Sequence, residues 1–213
     1  PLVLVDGIER GLNDINPEEV ESFSILKDAS ATAVYGVRGA NGVILIKTKK
    51  GKIGKPRITF KANYGFSNPT QLPEFVDGAK YMDVMNAAAV LSGQSPMYTP
   101  EVIQQTKDGT DVDLRPNVDW MGLITKSNVP QSQYSVDING GSERLRYSLV
   151  LGYFTEDGMF ITDKSTGYNS ESNYNRINVR SNIDLNLTPS TLVTVSIGGY
   201  RNSKNGSATA TSD

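Results

Sequence analysis

The sequence contains no cysteine and no histidine. The first absence excludes disulfides and thiolate metal sites within the chain. The second removes the usual general base and the commonest metal ligand. Neither Ser-His-Asp nor Cys-His catalysis can be assembled from these residues alone. No apolar run approaches the ~18 residues of a membrane-crossing helix, and no signal peptide is visible. Neither sign of charge dominates. The 213 residues carry 21 Lys+Arg and 23 Asp+Glu, a formal net charge of -2, which gives no electrostatic reason to expect nucleic acid. The chain opens at Pro1-Leu2-Val3-Leu4-Val5, already inside a strand-like run. A piece of a longer protein is therefore expected.

The most specific stretch present is Ser30 to Gly51, SATAVYGVRGANGVILIKTKKG. Asp28 is placed to cap a short helix over Ala29 to Tyr35, and Gly36 suits the left-handed position that ends one. Gly39 and Asn41-Gly42 tolerate positive φ, so the chain reverses there. Val43 to Ile46 is a continuous apolar run, as in a strand buried on both faces. A Walker loop would need Gly-Lys-Ser/Thr, but Val43 follows Gly42. The order helix, turn, strand is also the reverse of a nucleotide loop. Lys47, Lys49, Lys50, Lys52, Lys55 and Arg57 come next without interleaved aromatics, which reads as a solvated linker rather than a nucleic-acid or lipid patch.

The first fifty residues form a small α/β unit. Leu2 to Val5 is a strand ending at the turn signal Asp6-Gly7. Asn16 caps a short helix with Pro17 at its first position and Glu18 and Glu19 in its first turn, where acidic charge opposes the helix dipole. Glu18 and Glu19 are adjacent and do not face each other, so they are no catalytic pair. Phe23 to Leu26 reads as a further strand.

From Arg57 the period changes to two. Ile58, Phe60, Ala62, Tyr64 and Phe66 form one apolar face, and four later strands repeat the pattern. Their apolar faces are Tyr134 to Ile138, Leu145 to Tyr153, Ile177 to Leu187 and Val193 to Ile197. Strands of about ten residues have the length that crosses a bilayer when tilted. The connections alternate: short at Gly140 to Glu143 and at Thr188 to Ser190, long at 68–130 and 156–173. Short turns at one end and long loops at the other are the habit of outer-membrane barrels. A soluble β-sandwich would turn its apolar face to a core, whereas a membrane barrel turns it to lipid. Alternation alone leaves both open. Tyr64, Tyr134, Tyr147 and Tyr153 near strand ends, and a polar face with Asp137, Arg144, Arg146, Arg176, Arg180 and Asp184, favour the barrel.

Within the first long connection, Asp77 is expected to cap a helix through Leu91 that stops at Gly93. Thr99-Pro100 is expected to start another ending near Gly109. Asp108, Asp111 and Asp113 lack the order of a calcium loop and read as a solvated acidic turn. No metal ligand set and no cofactor site is assigned. Trp120, the sole tryptophan, reads as packing in the loop or at the lipid interface.

The order PLVLVDG, INPEEVES, ILKDASATAVYGVRGANGVILIKTKKG resembles the second half of the plug of TonB-dependent outer-membrane transporters of the SusC/RagA family. NVDWMGLIT and QYSVDINGGSERLRYSLVLGYFTEDG are similar to that family's early barrel region. Val37 departs from it, since many relatives carry a small polar residue there. The resemblance implies a mainly β fold: part of a plugged transmembrane antiparallel β-barrel, 22-stranded when complete, preceded by a small α/β plug half. It divides the chain into a plug half (1–51), a basic linker (52–56) and the first five barrel strands (57–213), with a long, partly helical first extracellular loop (68–130). It implies import of an oligosaccharide or peptide across the outer membrane of a Gram-negative bacterium, without enzymatic chemistry. The implied partners are a SusD-like surface lipoprotein, outer-membrane lipid, and TonB acting through a segment absent from this chain. Glu9, Arg10, Tyr35 and Arg38 lie where such plugs face substrate. Arg38 could instead pair with barrel carboxylates. Asp137, Arg144, Arg146, Arg176, Arg180 and Asp184 would line the lumen, the arginines alternatively holding the plug by ion pairs. A soluble β-rich ligand-binding module with no transport role remains the alternative.

Overall fold

The computed structural model describes residues 1–27, 33–110, 112–162, 165 and 171–206. The chain divides into two compact units. One comprises Pro1–Phe66, Pro130–Asp157 and the segment from Ser172, and the other Ser67–Val129 and Gly158–Glu171.

The first unit begins with a small mixed sheet. Its strands are β1 (Leu2–Val5), β2 (Ile8–Glu9), β3 (Val20–Leu26) and β4 (Val43–Thr48), in the order β2-β1-β4-β3. β1 pairs parallel with β4, whereas β2 and β3 pair antiparallel with their neighbours. A parallel pair has its ends far apart in the chain, and here the intervening residues supply the two outer strands. Asp6 and Gly7 both take positive φ, 50° and 86°, the geometry of a two-residue hairpin turn matched to strand twist. The apolar runs LVLV and VILI supply the core of Val3, Val5, Ile15 and Ile46, with Val20 and Ile44 packed on it. Asn16 and Glu19 make a complete capping box around the 3-10 turn Pro17–Glu19, each side chain accepting from the other end's free N–H.

Two sequence expectations change here. Asp28 and most of the helix expected over Ala29 to Tyr35 lie outside the described residues. The segment Ala33–Gly39 is two 3-10 turns meeting at Gly36. Gly36 has the expected positive φ of 62°, but its ψ of -152° is not that of a left-handed helix cap. It is a kink open only to glycine. Gly42, at φ 87°, makes the reversal into β4.

The second sheet is an antiparallel meander of β5 (Gly54–Ser67), β6 (Val129–Gly141), β7 (Leu145–Asp157), β8 (Asn173–Thr188) and β9 (Thr191–Asn205), adjacent in chain order. β5 starts at Gly54, so Lys55 and Pro56 belong to the strand rather than to a linker. Register places Arg146, Ser148, Val150 and Gly152 opposite Asp184, Asn182, Arg180 and Asn178 on one face. The other face carries Ile58, Phe60, Tyr64, Phe66, Leu151, Tyr153, Ile177, Val179, Val195 and Ile197, all exposed. Ile58 is 70% and Phe60 65% exposed. The plug half covers the polar face instead. A soluble sandwich would bury its apolar face, and this sheet does the reverse.

The second unit holds α1 (Gly78–Leu91), α2 (Pro100–Asp108) and α3 (Trp120–Ile124). Asp77 caps α1 by accepting from the Lys80 amide at 2.7 Å, and Thr99 caps α2 by accepting from Val102. Gly93 and Gly109 end these helices at φ 74° and 63°. α3 has no counterpart among the helices expected from the sequence. The Asn86 side chain clamps the link between α1 and α2. It donates to the Tyr98 carbonyl at 2.8 Å and accepts from its amide at 2.9 Å. The second long connection is tied to the first by the bridge Thr125↔Phe160 and by Lys126 to Glu171 at 2.9 Å. Asp108 accepts from Gln104 at 2.8 Å, and Asp111 lies outside the described residues.

Asn86→Ala removes both bonds to Tyr98, each worth about 1 kcal/mol net. Limited proteolysis of the full-length protein should then cut faster between Ser92 and Thr99. An unchanged cleavage rate would contradict the clamp.

Candidate functional site

The site is the seam where the plug half meets the polar face of the second sheet. Its centre is Thr48, the last residue of β4, which is fully buried. In a strand reading V-I-L-I-K-T, its side chain lies on the face opposite Lys47. Asp6, at the turn after the parallel neighbour β1, reaches the same point. The Asp6 carboxylate accepts from the Thr48 amide at 3.0 Å and its hydroxyl at 2.6 Å. The same carboxylate takes the Arg180 guanidinium of β8, a residue only 7% exposed. Asn182, two residues along the same face, donates to the Thr48 hydroxyl at 2.8 Å and the Lys49 carbonyl at 2.7 Å. Together these four side chains join plug and wall.

Further contacts extend the seam. Lys49 pairs with Asp137 of β6 at 2.7 Å, Glu18 with Lys61 of β5 at 2.7 Å, and Tyr200 of β9 donates to Asp14 at 2.6 Å. Arg176 lies 4.8 Å over the Tyr200 ring. Two glycines of the sheet leave room at the seam, one for the plug and one for Arg180 itself. A Cβ at Gly152 would lie 2.3 Å from the Asn16 side-chain nitrogen, and one at Gly198 2.7 Å from the Arg180 guanidinium.

The sequence-derived residues separate into groups. Arg180 pairs with Asp6 of the plug half, and Asp137 pairs with Lys49. Arg146 and Asp184 pair with each other across β7 and β8 at 3.7 Å. Arg176 packs on Tyr200. Arg144 sits apart, exposed in the short turn before β7. Among the described residues Arg38 meets no wall carboxylate: it pairs with Glu9 of the plug itself, and both side chains are largely exposed. Arg10 donates its amide to Val3 at 3.2 Å, and its guanidinium lies near Gly198. Tyr35 is half-buried beside Gly36. Asp6, Asp14, Thr48, Lys49, Asn182 and Tyr200 were missed. Asp6-Gly7 was legible only as a turn, and nothing local marks its carboxylate as a docking group.

Burial pushes the Asp6 carboxyl up. The Thr48 hydroxyl and amide, followed by the Arg180 guanidinium, more than offset this and hold it below its ordinary value. A depressed carboxyl contributes stability that is present above its unfolded value of about 3.9. That contribution is lost as pH falls through the lower folded value. Asp6→Asn leaves Arg180 buried without its counter-charge and should cost about 3 kcal/mol at neutral pH. In the full-length protein, the gap in thermal midpoint between wild type and Asp6→Asn should hold steady from pH 7 to 5 and shrink below about pH 4. A gap independent of pH would contradict this assignment.

Residues 1–43 match the TonB-dependent Receptor Plug Domain family. The chain is 30% identical over 209 residues to TonB-dependent receptor P3 of Formosa agariphila, covering 98% of this chain and 18% of that protein. It is 32% identical over 185 residues to TonB-dependent receptor SusC of Bacteroides thetaiotaomicron, covering 81% of this chain and 17% of SusC. The chain thus spans less than a fifth of the length of these relatives. Among solved structures, the RagAB peptide importer in its closed-closed state superposes with a TM-score of 0.72 at 29% identity, over 98% of this chain and 25% of that one. With the plug match, the relatives and the paired sheets in agreement, the chain belongs to the TonB-dependent receptors of the SusC/RagA group.

Proposed function

We propose that the protein of which this chain is part imports a nutrient, an oligosaccharide or a peptide, across the outer membrane as the SusC-like channel of a SusCD-type complex. The observation that carries this reading is the inversion of the second sheet. Its polar face is occupied by the plug half, while its apolar face of Ile58, Phe60, Ile177, Val179 and Ile197 is uncovered. Exposed apolar faces of such extent mark lipid or partner contact. In barrels of this class the apolar band faces lipid and the polar face lines the lumen. Tyr134 and Tyr153 stack on that outer face at 6.4 Å, in keeping with an interfacial girdle.

In this reading 1–51 is the later plug half, the strands from β5 open the barrel, and the end bearing the short turns is periplasmic. Barrel closure over 22 strands falls to the rest of the protein. The function is gated passage, with no bond chemistry. Substrate enters from outside under a SusD-like lipoprotein. Pulling by TonB on the plug then breaks the seam between plug and wall. Glu9, Arg10, Tyr35 and Arg38 form the substrate-facing plug loops. The seam suits such a gate because its contacts are polar and re-formable rather than an apolar core.

The full-length protein should fractionate with the outer membrane, migrate on gels in a heat-modifiable way, and co-purify with a SusD-like lipoprotein. Recovery as a soluble periplasmic protein would overturn the proposal in favour of a β-rich binding module.

A further inference from the structure

A cavity of about 510 Å³ lies in the seam beside the short turn between β6 and β7, lined by Lys49, Lys50, Lys52, Lys55 and Arg57 with Asp137, Asn139 and Glu21. Two of the cations are already neutralised, Lys49 by Asp137 at 2.7 Å and Lys52 by Glu21 at 3.2 Å. That uses both carboxylates of the lining. Lys50, Lys55 and Arg57 remain without an ion pair among the described residues.

The segment carrying these cations is held in place. The Lys52 amide donates to the Asn139 side chain at 3.1 Å, and that side chain donates back to the Lys50 carbonyl at 2.7 Å. Gly51 lies so close to β7 that a Cβ there would stand 2.2 Å from the Tyr147 nitrogen. Lys55 and Arg57 are strand residues of β5 on the plug-facing side, alternating with the outward Ile58. The basic run, read from sequence as a solvated linker, is therefore partly a fixed wall. Three unneutralised cations around one concave site raise the local concentration of anions.

We propose that this cavity is a cationic exit site, and that the cargo leaving the plug–wall seam there carries carboxylates. This rests on the transport reading and narrows its substrate class to an acidic oligomer.

The test uses the detergent-solubilised full-length transporter and three probes: triglutamate, trigalacturonate and neutral maltotriose. Equilibrium dialysis should retain at least one acidic probe about tenfold more strongly than maltotriose at low salt. That preference should fade as ionic strength rises to about 0.5 M, where the Debye length is only about 4 Å. The variant Lys50→Gln/Lys55→Gln/Arg57→Gln should lose the preference, and single Lys55→Glu should weaken it. These side chains are without ion pairs among the described residues, so heat-modifiable migration should persist. The salt titration of wild type reads the same effect without any variant. Retention confined to one acidic probe identifies whether peptide or glycan supplies the carboxylates. Equal retention of acidic and neutral probes, a preference insensitive to salt, or one unchanged in the triple variant would overturn the proposal. Outer-membrane fractionation would be untouched by that failure, and its own failure would sink the transport reading separately.

Discussion

A buried arginine must have a counter-charge, and here the plug supplies it. Arg180 stands on the polar face of β8, and the Asp6 carboxylate that neutralises it comes from a turn 174 residues away in the chain. Removing either partner strands a charge in a poorly solvated place, a penalty larger than the net value of the pair itself. The sheet's polar face therefore requires the plug, and the plug's turn after β1 has its carboxylate positioned by the wall. Asn182 completes the joint by donating to the Thr48 hydroxyl and the Lys49 carbonyl. Gly152 leaves room for Asn16 of the plug, and Gly198 for the Arg180 guanidinium.

This joint differs from an ordinary domain core. The small mixed sheet has its own apolar core, built on Val3, Val5, Ile15 and Ile46, separate from the polar contacts that tie it to the wall. Along the seam ion pairs, amides and hydroxyls are prominent, alongside the buried Val150. Among the described residues, buried Ser148 Oγ, Asn182 Oδ1 and Arg180 Nε have no protein partner. Such a surface exchanges its bonds for water bonds at modest cost, whereas an apolar interface of similar extent would resist separation. On the proposed transport reading, a gate that opens and reseals is better served by the first kind.

Much of the fold was legible from the sequence. Period two marked the strands from β5 to β9 and their two faces, because successive side chains of a strand point to opposite sides. Asn16-Pro17-Glu18-Glu19 announced its cap through local chemistry alone, and so did Asp77 and Thr99. The seam was legible only in part. A set of polar-face residues included Arg180 and Asp137 but could not pair them, since their partners Asp6 and Lys49 are remote in sequence and locally look like a turn and a linker. Arg38 was the opposite case: its charge was noticed, but its partner Glu9 lies within the plug. Gly36 shows the limit of local rules, since its positive φ was foreseen but its ψ is set by the kinked segment around it. Helix α3 was missed because its five residues are too few for a helical period to show.

The wall turns its polar face to the plug, and on this account its apolar face meets lipid. The most direct measurement is quenching by brominated lipids in the reconstituted full-length protein, with tryptophan placed singly along β8 in a background in which Trp120 and every tryptophan outside this chain are replaced by phenylalanine. The account predicts strong quenching at Ile177 and Val179, and none above background at Asn178 and Arg180. Equal quenching at all four positions, or quenching at the even positions alone, would contradict it.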